Sequence, residues 1–190
     1  MSNSLIQPSH VAILVPSVRL SAEFLKPYGF IGPEEDFEGE GTREIYVGLA
    51  GQSNLLLLMQ PAGPGAYQRA LEKRGPGLHH LAIDVLSLDN FLESLSGSGW
   101  LLHPTSVKTI KNSRTAYLAR PGFPGLVEVQ EKKKLNSQPL FVQKVGLPFA
   151  ASLEGLMTHI GLDHVVKSQH APATLVVADK SILMKDLIGH

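Results

Sequence analysis

A stretch of 16 residues occurs twice, 70 positions apart, and nothing else constrains the fold as much. Residues 10–25 read HVAILVPSVRLSAEFL and residues 80–95 read HLAIDVLSLDNFLESL. Aligned without gaps they share His, Ala, Ile, Val, Ser, Glu and Leu, seven of 16 positions, and Val11/Leu81 and Val18/Leu88 exchange similar aliphatics. A chain of 190 residues is sized for one domain with an appendage. A repeat this short therefore means that a small module is used twice.

Each copy opens as a strand. Val11, Ile13 and Val15 alternate with His10, Ala12 and Leu14, and Leu81, Ile83 and Val85 alternate with His80, Ala82 and Asp84. Period-two alternation gives each set its own face. The aliphatic face suits packing under helices, and the other face carries one His and one Ala in both copies. Ser17 and Ser87 stand where a helix N-cap belongs, so helices are expected over about 17–28 and 87–97. Gly29 ends the first, and Gly97 and Gly99 end the second. Further strands are expected at 35–38, 42–49 and 54–60, then at 101–103, 114–120 and 125–130, with Gly and Pro between them. The unit is β-α-β-β-β, used twice, at 8–60 and 78–131. AYQRALEKRG, within the connection 61–79, reads as a short helix.

After Glu131 the pattern stops. Lys132–Pro139 is charged and polar and reads as a linker, its three lysines as linker charge. The chain thus divides into a duplicated domain, 1–131, and a C-terminal extension, 132–190. A helix near 149–160 and a strand at 174–178 are expected there. Gly161-Leu-Asp-His-Val-Val166 looks like the opening of another module, with His164 in the His position, but no complete third module follows.

Composition closes off several chemistries. Lys plus Arg and Asp plus Glu are both 17, so a protein that neutralises many phosphates of a nucleic acid is not expected. There is no Cys, which removes disulfides, thiolate nucleophiles, Cys-bound zinc and iron–sulfur clusters. The N-terminal residues lack a basic region followed by a long apolar stretch, and Leu55–Met59 is far too short to cross a bilayer. The expectation is a cytoplasmic protein without membrane partners. Gly63-Pro-Gly65 is a turn with no phosphate-loop context.

His10 and His80 occupy one register of two equivalent strands. Glu128, flanked by Val127 and Val129 in the last strand of the second copy, must face solvent, be paired or ligate. Two His and one carboxylate from separate strands would make a facial site for a divalent metal.

The SHVAIL and GLHHLAIDV openings, the closing GLVEVQE and the doubled β-α-β-β-β unit resemble the vicinal oxygen chelate superfamily over about residues 8–131. That superfamily includes glyoxalase I, methylmalonyl-CoA epimerase, extradiol dioxygenases and antibiotic-resistance proteins. MQPAGPGAYQRALEKRGPGLHHLAIDV and PEEDFEGEGTREIYVGL look most like the epimerase. The resemblance implies an α+β fold, with the two modules forming a curved, mostly antiparallel half-barrel around one pocket, followed by an α/β extension. It implies His10, His80 and Glu128 as metal ligands, and Glu44 and Glu128 as two catalytic carboxylates flanking a substrate α-carbon. His79, one residue from His80, is expected on the opposite face. The epimerase's remaining ligand, a Glu or Gln, falls at Leu57. Gln60 lies three residues on, and alternation aims it at the other face.

The implied activity is metal-dependent epimerisation or isomerisation of an acyl-CoA thioester. The metal would be Co, Mn, Ni or Zn, the partner an acyl-CoA or similar small molecule, and the assembly a homodimer. Two alternatives stay open. An extradiol dioxygenase would use Fe(II) on His10, His80 and Glu128 alone, with Tyr117 its best remnant. A non-catalytic small-molecule binder would place Leu57 in an apolar cavity. Lys73, Arg74, Lys111 and Arg114 are either contacts for CoA phosphates or solvated surface.

Overall fold

The computed structural model describes residues 6–39, 41–135 and 138–188. The first five residues of the chain and residues 136–137 of the expected linker lie outside the described residues.

The first module runs β1 (Ile6–Leu14), α1 (Val18–Leu25), β2 (Phe30–Phe37), β3 (Thr42–Gly48) and β4 (Leu55–Pro61). After α2 (Ala66–Arg74) the second runs β5 (Gly77–Val85), α3 (Leu88–Ser94), β6 (Leu101–Leu102), α4 (Ser106–Ser113), β7 (Thr115–Ala119) and β8 (Leu126–Glu131). The eight strands form one open sheet in the order β2-β3-β4-β1-β5-β8-β7-β6. Only β1–β4 and β5–β8 pair in parallel, one such pair per module, and antiparallel β1–β5 joins the modules. The fold is α+β, a curved and mostly antiparallel half-barrel.

Ser17 and Ser87 cap α1 and α3 as their sequence places them: their hydroxyls accept from the N–H of Leu20 and of Asn90. A second cap comes from the strands. Gln60 Oε1 accepts from Val18 N at 3.1 Å, and Glu131 Oε2 accepts from Leu88 N at 2.8 Å. Gln60 thus serves the helical, convex side, as alternation requires. Replacing Gln60 with Ala is expected to cost about 1 kcal/mol in urea unfolding. An unchanged midpoint would show that water caps α1 equally well.

The C-terminal segment adds a second sheet, β10-β9-β11-β12, from β9 (Val142–Leu147), β10 (Val166–Ser168), β11 (Thr174–Val177) and β12 (Lys180–Leu183). Its apolar residues share one core with the convex face: Phe141, Val145, Leu175 and Leu187 cluster with Val11, Ile13, Ile83 and Val129. Phe141 N donates to Ser53 O, Ser21 Oγ to Leu187 O, and Trp100 Nε1 to Leu156 O. The expected helix over 149–160 is a 3₁₀ turn, Ala151–Leu153, followed by the short α5 (Gly155–His159). The expected third module opening is a turn. Gly161 has φ +66° and packs against Ile6, and His164 is exposed. No described helix is long and apolar enough to cross a membrane.

Candidate metal centre

Register places the site. Across β1, β4 and β5, Ala12 lies beside Leu57 and opposite His80, and His10 lies opposite Ala82. Ala82 in turn lies beside Glu128 on β8, and Glu128 lies opposite Tyr117 on β7. These residues share the concave face. His10, His80 and Glu128 are buried, and their donor atoms converge. His10 Nε2 is 3.0 Å from His80 Nε2, and Glu128 Oε2 is 3.5 Å from the first and 3.2 Å from the second.

Three lone pairs aimed at one point repel unless positive charge sits among them. Burial, then the neighbouring His80, pushes His10 down to about 3, so it is neutral at physiological pH and has a lone pair to give. Burial works against the charged form of Glu128. The facing imidazoles of His80 and His10, 3.2 and 3.5 Å from Oε2, outweigh it and hold the carboxyl down at about 2, ionised. Ligands bound about 2.0–2.2 Å from one ion at tetrahedral or octahedral angles stand about 2.9–3.5 Å apart. The observed separations fit a single divalent ion.

Each of the three donor side chains is also held from behind. With an ion taking its Nε2, His80 would carry its proton on Nδ1, which lies 2.9 Å from His79 Nδ1 and is placed to donate to it. Tyr117 OH donates to Glu128 Oε1 at 3.1 Å, and Ser9 Oγ lies 3.4 Å from His10 Nδ1. His79 is not on the opposite face. The β1–β5 register passes from Ala12↔His80 to Ile13↔Leu78, and the bulge leaves His79 unpaired. Its ring lies against His80, and also 5.0 Å from that of Tyr67, whose helix covers the concave face. Burial and then His80 lower His79 to about 3, which leaves it neutral and able to accept.

Leu57 sits at the pseudo-equivalent of Glu128. It is buried with Ala12, Leu14 and Met59 beneath Tyr67, Ala70 and Leu71 of α2. The protein therefore offers three donors here, and an apolar wall where the repeat would place a fourth. Glu44 lies on the same face, opposite Met59, buried, with Thr42 Oγ1 donating to its Oε1 at 2.9 Å. Tyr46, two residues on, sets its ring edge-on to His10 at 5.7 Å. Asp84, to which the sequence lent no role, is half-buried on this face. Desolvation raises its pKa, and Lys132 Nζ stands 4.0 Å away. Arg114 is tied to Glu131 and Asp89.

Two modules of one design around a concave face with a His-His-Glu centre define a duplicated half-barrel able to hold a divalent ion. Residues 9–117 match the Glyoxalase/Bleomycin resistance protein/Dioxygenase superfamily, and the chain belongs to it. Among solved structures it is similar to methylmalonyl-CoA epimerase from Mycobacterium tuberculosis. That match has 27% identity over 69% of this chain and 91% of that one, with a TM-score of 0.55. A methylmalonyl-CoA epimerase in complex with methylmalonyl-CoA and NH4+ gives 19%, 70%, 100% and 0.54. A hypothetical protein from Bacillus halodurans C-125 gives 21%, 70%, 98% and 0.57. Identities this low carry the fold alone. No curated protein matches the sequence significantly.

Proposed function

We propose that the protein is a divalent-metal epimerase or isomerase that enolises an acyl-CoA thioester, as a methylmalonyl-CoA epimerase would. The observation that carries this reading is the convergence of His10, His80 and Glu128 on one point, with a further buried carboxylate, Glu44, on the same concave face. His10, His80 and Glu128 would hold the ion. When bound, a divalent cation supplies electrophilic charge that makes the hydrogen α to a nearby carbonyl more acidic.

The chain's own carboxylates do the rest. Glu44 takes the α-proton from one face of the carbon, with the Thr42 hydroxyl holding its carboxylate in place. Glu128 belongs to the opposite module; ionised at rest, it takes a proton from solvent and returns it to the other face of the carbon, while Glu44 releases its own to solvent. Tyr117 steadies it from the far oxygen. Exchange of the α-proton of methylmalonyl-CoA in deuterated water, followed by NMR on metal-loaded protein, tests the reading. No exchange with Co, Mn, Ni or Zn would end it.

Leu57 favours a second reading. With three protein donors, two or three coordination positions stay open, as a 2-His-1-carboxylate Fe(II) dioxygenase needs. Ring-opening of a catechol by the Fe(II)-loaded protein, without α-proton exchange, would establish it. Tight ligand binding with neither turnover would leave a binding role.

In either case His79 would fix the tautomer of His80 once an ion holds its Nε2. His79→Phe is expected to weaken Zn or Co affinity about 10- to 100-fold while leaving the unfolding midpoint of metal-free protein near wild type. His79→Asn, which keeps an acceptor, should recover part of the loss.

A further inference from the structure

We infer that the cleft between the start of β5 and the C-terminal segment is a second binding site, for a small organic anion that joins a carboxylate or phosphate headgroup to an apolar body. The cleft encloses about 370 Å³, within the roughly 300–1,000 Å³ usual for small-ligand sites. Leu14, Leu147 and Met184 give it an apolar floor. Arg74, at the end of α2, and Lys185, in the 3₁₀ turn Met184–Ile188, line it from opposite segments of the chain. No Asp or Glu lines it, and among the described residues neither cation has an ion-pair partner. The sign of the field is therefore positive from both sides.

The wall between the cations is made of backbone. Gly75 and Gly77 have φ +72° and +148°, and a Cβ at either would meet nothing within 4 Å. The space is opened by side chains that are missing, and four prolines stiffen the lining. Apolar floor, paired cations and bare backbone together suit a ligand with one charged end and one greasy end. Leu147, Met184 and Lys185 fall outside the matched stretch 9–117, so the cleft is closed by this chain's C-terminal addition; His79 lines its inner end, next to the metal centre, but His10, His80 and Glu128 do not line it.

The test uses octanoate, octyl phosphate and octanamide titrated into ¹⁵N-labelled full-length protein. Octanoate is expected to shift the amides of Gly75, Gly77 and Ala173 and to saturate. Octanamide has the same body without the charge and should bind about tenfold more weakly or worse. The double change Arg74→Gln/Lys185→Gln should weaken octanoate by a similar factor while the rest of the spectrum stays in place, since both side chains are exposed. Whichever of octanoate and octyl phosphate binds tighter names the headgroup. The inference fails if octanoate shifts nothing, or shifts only resonances around His10 and Glu128, which do not line the cleft. It fails equally if octanamide or the doubly substituted protein binds as well.

Discussion

Phe141→Ala is expected to lower the stability of the whole chain by about 3–5 kcal/mol. Against a total of roughly 5–15 kcal/mol that is a large fraction. Phe141 is 1% exposed and is the largest side chain buried to that degree. It lies just before β9, yet its ring packs at the turn that follows α1, where a Cβ on Gly29 would come within 2.9 Å of it. Its backbone N–H donates to Ser53 O in the first module. Truncation would open a cavity at the seam between the half-barrel and the C-terminal segment, lined by residues of both.

The effect should appear as one transition. Trp100 belongs to the second module, packs on Phe123 in a chain that continues to Phe149, and donates to Leu156 O. Its fluorescence reports the seam, and far-UV circular dichroism reports the sheets. In urea both signals should shift together. Separate midpoints, with the dichroism of the half-barrel unmoved, would mean that residues 132–188 unfold on their own and that the shared core contributes little to the modules.

Much of this arrangement is legible in the repeat. Strand alternation alone puts His10, His80 and Glu128 on one face and sends Gln60 to the other, because β4 and β8 keep their register throughout. It fails at His79 for a local reason. A bulge adds one residue to β5, and an extra residue reverses the parity on which the inference rests. The helix α4 is hard to see in the sequence because its eight residues hold only two large apolar side chains, Val107 and Ile110, of which Ile110 alone packs on the core. The segment 149–160 has helical spacing, yet it breaks at Glu154–Gly155 into a 3₁₀ turn and five helical residues. In β9, β10 and β12 the strands have three to six residues, too short for alternation to declare itself. The convergence of three donors within 3.5 Å is a tertiary fact. It follows from the curvature of the sheet, which no single strand encodes.

Glu44→Gln is expected to slow α-proton exchange by about 10²- to 10⁴-fold, the range usual for loss of a positioned general base. The substitution is nearly isosteric. The amide oxygen can still accept from Thr42 Oγ1, so the buried site keeps its shape. Glu44 is not among the three converging donors, so the metal content of the protein should not change. Glu128→Gln is expected to abolish exchange as well, for two reasons at once. It removes the second carboxylate, and it replaces an anionic oxygen that two histidines face at 3.2 and 3.5 Å with a neutral one. Metal content should fall with it. Metal analysis alongside kinetics therefore separates base from ligand: the same lost exchange with the ion retained in one variant and diminished in the other. Wild-type exchange in Glu44→Gln would remove the two-carboxylate mechanism even if the metal centre is real. The proton would then be moved by Glu128 alone or by solvent, and the surviving exchange would still set the protein apart from a catechol dioxygenase.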